Sequence, residues 1–173
     1  MKKICLFLII FIVCACNNIP KGEVNSYLEK YQYLDPIIMN EVNNIINNSN
    51  YNDDVNELYK KVYERQYQDM QYKIVDEKCT KNQCTVLVNI KVYDYHTVQN
   101  ESLNYLINNE DEFKNSDGEY DPNLYEIYKL NNMLNTNKLV TYNISFHLNK
   151  ENITWHLSSL DNNELLKLHG LYE

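Results

Sequence analysis

The sequence predicts an α+β fold in which helices cover one face of a curved antiparallel sheet of about four strands. Two stretches, within residues 85–95 and 140–157, alternate apolar and polar side chains, which is typical of strands. Elsewhere the apolar residues recur at helical spacing. The chain contains only 3 Gly and 3 Pro in 173 residues, so few positions would break a regular element, and we expect short polar turns.

The start of the chain is predicted to be a targeting segment and not part of the fold. Lys2 and Lys3 are followed by an unbroken apolar run from Ile4 to Ala15. This run is shorter than the about 20 apolar residues that a membrane-spanning helix needs. Its length and its flanks match those of a secretory signal peptide.

The apolar run ends in Val13, Cys14, Ala15 and Cys16. This stretch resembles the bacterial lipobox, in which one aliphatic and two small residues precede a cysteine. The resemblance implies that residues 1–15 are cleaved off, that the sulfur of Cys16 carries a diacylglyceryl group, and that residues 16–22 form a lipidated tether. Two or three acyl chains anchor a protein stably. The alternatives are an ordinary cleaved signal peptide and a metal-binding Cys-x-Cys pair.

Cleavage before Cys16 would leave a mature protein of residues 16–173, whose location and net charge can be stated. The location is extracytoplasmic, on the cell membrane or the outer membrane. Without Lys2 and Lys3 the chain has 14 Lys and Arg against 24 Asp and Glu, a net charge of −10. This charge argues against nucleic acid as a partner, and anionic lipids would repel it, so the lipid must hold the protein at the membrane.

The globular part, residues 23–173, has the length of a single domain and begins with helices. Asp35 followed by Pro36 is typical of a helix N-cap with proline in the first turn. Asn52 or Asp53 can cap the next helix. The apolar positions of the first helix are Val24, Tyr27, Leu28, Tyr31 and Leu34.

A first hairpin is predicted around Cys79 and Cys84. Residues after Gln71 alternate weakly, the run from Thr85 to Tyr95 alternates strongly, and TKNQ lies between the cysteines. Cysteines that bracket a turn can form a disulfide, which needs Cα atoms about 4.4–6.8 Å apart, and such a bond persists in an exported protein. The alternatives are free thiols, a zinc half-site and a redox pair.

Helices are expected between this hairpin and a second one. Thr97 can cap a helix with Val98, Leu103, Leu106 and Ile107 on its apolar side. Residues 108–121 form an acidic loop whose spacing is not that of a calcium loop. Asp121 before Pro122 repeats the cap-and-proline signal. Most tyrosines are expected in the core with their hydroxyl groups near water.

The second hairpin alternates clearly. A turn centred on Lys150 and Glu151 would pair Leu148 with Ile153, and Phe146 with Trp155. Asp161 is expected to cap a short C-terminal helix that Gly170 ends. The apolar positions are Val140, Tyr142, Ile144, Phe146, Leu148, Ile153, Trp155 and Leu157.

This last hairpin resembles the final two strands of small lipoproteins in the nuclear transport factor two superfamily. The matching residues are Tyr142, Ile144, Phe146 and Leu148, then Trp155 and Leu157, within a resemblance that covers about residues 50–160. It implies a curved sheet that wraps helices around a cone-shaped cavity. Members include isomerases, dehydratases and binding modules, so the resemblance does not determine a function. The long helical start is a departure from it.

An enzyme of this family would place an Asp/His or Asp/Tyr pair inside the cavity. The candidates are Asp94 and His96 after the second strand, with His147 and His156 on one face of the last hairpin. The alternative for Asp94 and His96 is a strand end and helix cap, and for the two later histidines it is a solvated sheet face. No third ligand marks a metal site near these two histidines.

No motif in the sequence indicates a cofactor. Neither a phosphate-binding glycine loop, nor G-x-S-x-G, nor H-E-x-x-H occurs in it. The sequence therefore favours a lipid-anchored extracytoplasmic binding or interaction module of the bacterial envelope, with an envelope protein or a small ligand as its partner. The alternative is a small-molecule enzyme of isomerase or dehydratase type. A closed cavity that contained two of the candidate side chains would favour the enzyme, and an open groove would favour the binding module.

Overall fold

The computed structural model describes residues 19–173, so Cys16 and the rest of the lipobox lie outside the described residues. The α+β fold is confirmed, with helices between two hairpins and a short helix at the C-terminus. The elements are α1 (Pro20–Gln32), α2 (Pro36–Asn47), α3 (Asp53–Gln68), β1 (Gln71–Cys79), β2 (Gln83–Tyr93), α4 (Tyr95–Asn108), a 3₁₀ helix (Glu110–Phe113), α5 (Pro122–Asn135), β3 (Leu139–Glu151), β4 (Thr154–Leu157) and α6 (Asn162–Leu168).

Helix α1 begins earlier than the sequence predicts. Pro20 occupies its first turn, so residues 20–22 are helical, although the sequence places them in the tether. No helix among residues 19–173 is both long enough and apolar enough to span a bilayer.

The predicted caps are confirmed at α2, α3, α5 and α6. At α6, Asp161 and Glu164 form a reciprocal capping box. At α4 the prediction of Thr97 as the cap is wrong, because the helix begins three residues earlier, at Tyr95. Asp94 is the N-cap there and accepts hydrogen bonds from the backbone N–H of Thr97 at 3.0 Å and from its hydroxyl at 2.7 Å.

The four strands form one antiparallel sheet in the order β1-β2-β3-β4. Both hairpin turns lie at one end of this sheet, which we call the hairpin end. The connections between helices and strands lie at the opposite end, which we call the helix end. They run from α3 to β1, from β2 to α4 and from α5 to β3.

Helix α1 crosses the covered face of the sheet from one end to the other. The Nζ of Lys21 lies 3.2 Å from Oε2 of Glu77 near the hairpin end. The Nε2 of Gln32 donates to the carbonyl of Met70 at 2.7 Å at the helix end. The buried positions of β2 and β3 form one core cluster with the buried residues of α1 and α2, and they are Cys84, Val86, Val88, Ile90, Val92, Ile144, Phe146 and Leu148.

A second apolar cluster lies between α3, α4 and α5, away from the sheet. It contains Val55, Val62, Tyr95, Val98, Leu130 and Met133.

The predicted register of the second hairpin is wrong by four residues. Trp155 pairs with Lys150, not with Phe146. The two-residue turn is formed by Asn152 and Ile153, and Asn152 has a φ of +56°. Asparagine adopts this left-handed conformation more readily than most residues, which explains why the turn lies there. Because the shift is an even number of residues, Trp155 still faces the core.

Candidate functional site

The structure separates the four candidate side chains into two groups. Asp94 follows β2 at the helix end, while His147 pairs with Thr85 close to the hairpin end. Asp94 lies nine residues after Thr85, the partner of His147, and nine residues correspond to about 30 Å along a strand. Asp94 and His96 therefore share no site with His147 and His156.

Asp94 and His96 make local contacts. The carboxylate of Asp94 caps α4, and the ring Nε2 of His96 lies 2.8 Å from Nδ2 of Asn100, one turn further along the same helix. The backbone N–H of His96 donates to the carbonyl of Gly170 at 2.8 Å. These contacts give Asp94 and His96 a structural role in the connection between β2 and α4.

His147 and His156 lie together on the uncovered face of the sheet. His156 pairs with Asn149, two residues along β3 from His147, so the two histidines are diagonal neighbours on one face, as the sequence predicts. Both are exposed. The Nδ1 of His147 lies 3.2 Å from the hydroxyl of Thr85. The face around them is polar and open to solvent.

The covered side of the sheet is filled by side chains. The ring of Tyr27 meets the ring of Phe146 edge-on, with centroids 5.9 Å apart, and Tyr31 meets Tyr67 in the same way at 5.0 Å. Burial raises the pKa of Tyr31 and of Tyr67, so both phenols stay neutral. This packing fills the space where the family resemblance implies a cone-shaped cavity.

A small cavity of about 30 Å³ lies beside this core, between α3, α4 and the segment after α6. It is close to the smallest space that holds one water molecule. His169 lines it, and Nδ1 of this residue lies 3.2 Å from the hydroxyl of Tyr67. Burial lowers the pKa of His169 to about 4, so the imidazole is neutral near neutral pH. The cavity is too small for a substrate.

An open groove of about 380 Å³ runs between α4 and α5. We call it the α4–α5 groove, and its lining residues are Val98, Glu101, Ser102, Tyr105, Tyr128, Asn132, Asn135 and Thr136.

Polar and aromatic groups determine the character of this groove. Ser102 is buried, and its hydroxyl lies 3.3 Å from Nδ2 of Asn132 on the facing helix. The rings of Tyr105 and Tyr128 stack with centroids 4.8 Å apart. Glu101, the single acidic residue of the lining, forms an ion pair with Lys138. The groove thus offers hydrogen bonds and a flat aromatic surface, but no nucleophile beside a base.

Sequence reasoning did not identify this groove. Its tyrosines are expected in the core from their positions on apolar stripes. Ser102 was the available signal, because a small polar residue among the apolar positions of α4 leaves space between two helices.

The acidic loop, residues 108–121, packs against the neighbouring helices through an aromatic cluster. Phe113 is buried, and its ring packs edge-on against the rings of Tyr105 and Tyr125. Lys114 pairs with Asp111, which lowers the pKa of that carboxyl group. These contacts explain how the loop is held in place.

The disulfide between Cys79 and Cys84 is present at the hairpin end, with Cα atoms 4.1 Å apart. Glu77 is the nearest carboxylate, and its side chain could join the two sulfurs as a third metal ligand. In this structure the sulfurs are bonded to each other, so they serve as a cross-link.

No protein family, no curated protein and no solved structure matches this chain. By its fold and its groove the protein belongs to a broad structural class, that of α+β domains with an open groove between two helices.

Proposed function

We propose that this protein is a lipid-anchored, extracytoplasmic binding module of the bacterial cell envelope and that it binds its partner in the α4–α5 groove. The observation that carries the proposal is the composition of this groove, which is open to solvent and lined by stacked tyrosines and hydrogen-bonding side chains. These groups suit recognition, and the lining holds no acid–base pair for catalysis.

The lipid anchor is supported by the lipobox at Val13 to Cys16. The disulfide of the first hairpin supports it as well, because such bonds persist mainly in exported proteins. The enzyme alternative needs Asp94 or His96 beside His147 or His156. The separation of about 30 Å along β2 gives that alternative no support.

The partner that fits best is a segment of an envelope protein. Small-molecule sites bury most of their ligand's surface, whereas the α4–α5 groove is open along its length. An extended or helical segment could place an apolar side chain against Tyr105 and Tyr128 and hydrogen-bond to Asn132. The net charge of −10 argues against nucleic acid.

The anchor is tested by mass spectrometry of the mature protein from bacterial membranes. We expect an N-terminal peptide that begins at Cys16 and carries acyl chains, and a Cys16→Ser variant that no longer sediments with membranes. An unmodified N-terminus at another residue would refute the anchor.

The groove is tested by photo-crosslinking in cells, with a photoreactive amino acid at Asn135 in the groove and, as the control, at the exposed Asn44 on α2. We expect a discrete cross-linked species from position 135 that is absent at position 44. A Tyr128→Ala substitution should weaken it severalfold. Equal cross-linking at both positions would contradict the groove as the binding surface.

A further inference from the structure

We propose that the hairpin end of the sheet lies against the membrane and that Ile153 and Ile19 enter the interfacial layer of an anionic bilayer. This inference rests on the proposed lipid anchor at Cys16 and adds the orientation of the domain to it.

The length of chain between the anchor and the fold limits the distance to the membrane. Three peptide units connect Cys16 to Ile19, and they span at most about 11 Å. Helix α1 starts at Pro20, directly after Ile19. The start of α1 must therefore stay close to the lipid head groups.

The start of α1 lies at the hairpin end. The ion pair between Lys21 and Glu77 joins the first turn of the helix to the last residues of β1. The backbone N–H of Lys150 donates to the carbonyl of Asn82 at 2.8 Å, which holds the two hairpin turns side by side. The anchor point and both turns thus belong to one end of the molecule.

This end carries an exposed apolar side chain with no role in the core. Ile153 is 87% exposed, the highest value among the large hydrophobic residues described, and Ile19 is 55% exposed. Transfer of an isoleucine side chain from water to an apolar environment is favourable. In the second cross-strand pair from this turn, Nζ of Lys150 lies 5.4 Å from the centre of the Trp155 ring. A lysine can keep its charge at the head groups while its stem lies along apolar surface.

The charge distribution favours the same orientation. The hairpin end is neutral, because its four lysines balance its four carboxylates, whereas residues 19–173 as a whole have a net charge of −10. Anionic lipids therefore repel the remainder of the domain and do not repel this end. The charged residues of the hairpin end are Lys21, Lys78, Lys81, Lys150, Glu23, Asp76, Glu77 and Glu151.

The test uses the full chain, expressed as a lipoprotein and reconstituted into vesicles of phosphatidylcholine and phosphatidylglycerol that contain a spin-labelled lipid. An Ile153→Cys variant carries a small fluorophore at the hairpin end. The matched control is Asn137→Cys, which is exposed at the helix end, about 40 Å away along β3. In the lipidated, oxidised protein the introduced cysteine is the free thiol.

We expect the spin-labelled lipid to quench the fluorophore at position 153 severalfold more strongly than the one at position 137. Equal quenching, or stronger quenching at position 137, in protein that floats with the vesicles would overturn the orientation while the anchor stands. Protein that fails to float would show that the anchor is absent, and both proposals would fall.

A second measurement isolates the contribution of charge. Lys81 lies in the first hairpin turn and is exposed. A Lys81→Glu substitution should reduce quenching at position 153 in vesicles with phosphatidylglycerol and leave it unchanged in pure phosphatidylcholine. No reduction in the anionic vesicles would contradict apposition of this end to anionic lipid.

Discussion

The two ends of the sheet are held together in different ways. At the hairpin end the cross-link, the disulfide between Cys79 and Cys84, joins residues that are close in the sequence, and distant segments meet there through a partly exposed ion pair and a backbone hydrogen bond. At the helix end side chains on α3 bind the backbone of distant segments. The side-chain amide of Gln66 on α3 accepts the backbone N–H of Tyr93 at 3.0 Å and donates to its carbonyl at 3.2 Å.

A second set of long-range contacts closes the helix end. The guanidinium of Arg65 donates to the carbonyls of Met133 and Thr136 at 2.9 and 2.7 Å and so satisfies free carbonyl groups where α5 ends. Gly170, after α6, lies against Tyr93 and Gln66. The comparison indicates that the helix end tolerates little change, because close contacts between distant segments hold it, whereas the hairpin end depends mainly on its cross-link and its two turns.

The largest effect is expected at Gly170. Its φ is +69°, and a Cβ added there would lie 2.0 Å from the carbonyl oxygen of Tyr93. Gly170→Ala should therefore cost about 4 kcal/mol or more of unfolding free energy, since both the backbone conformation and the contact are violated. Urea unfolding measures this loss.

Gly118 is the matched control for this substitution. It also has a positive φ, +82°, but no atom lies within 4 Å of an added Cβ. Gly118→Ala should cost only about 1 kcal/mol, the backbone strain alone. Equal losses for the two variants would contradict the close packing at the helix end.

Acid should weaken the helix end through His169. The pKa of this buried imidazole is lowered to about 4, whereas an unfolded histidine titrates near 6.5. The unfolded chain therefore binds a proton first, and stability is lost as the pH falls from about 6.5 to 4, by up to about 3 kcal/mol. Above pH 6.5 this contribution is present in full.

Urea unfolding at pH 7 and at pH 4.5 tests this, with His169→Gln for comparison. The variant lacks the titrating group, so it should lose markedly less stability than the natural chain between the two pH values. The same acid sensitivity in both proteins would contradict the assignment to His169.

A smaller loss is expected for Gln66→Leu. The substitution removes the buried amide that bonds the backbone N–H and carbonyl of Tyr93, two partly buried groups, which should cost about 2–3 kcal/mol. The exposed Gln68 on the same helix is the control, and Gln68→Leu should change stability by less than about 0.5 kcal/mol. If both leucine variants unfold at the same urea concentration as the natural chain, the amide of Gln66 has no stabilising role.

The smallest of these effects belongs to the hairpin end. Replacement of both Cys79 and Cys84 by alanine should cost about 2 kcal/mol, because the cross-link closes a loop of only a few residues. Thiol labelling of the native exported protein provides the direct check. Reaction of both cysteines in the absence of reductant would show that the bond is absent.

Much of the fold can be predicted from the sequence because the signals are local. Asp35 and Asp121 act as caps for the helices that follow them, as their positions before proline predict. The alternation in β2 and β3 identifies the buried face of the sheet. The cysteines on either side of a turn indicate their own cross-link.

The α4–α5 groove could not be predicted from the sequence pattern. Leu103 and Ile107 fit the apolar side of a helix but are 47% and 69% exposed, because α5 packs against the side of α4 that carries Val98 and Ser102. Which helices meet, and where a groove opens between them, depends on residues far apart in the chain.

The amino-acid order alone therefore specified the type and order of the elements, every predicted cap but that of α4, and the first hairpin with its cross-link, since each depends on residues within a few positions of one another. The fold determined the register of the last hairpin, the distance between Asp94 and His147, and the contacts of Gln66 and Gly170 with Tyr93. These features depend on how distant segments pack, and periodicity along the chain contains no information about that packing.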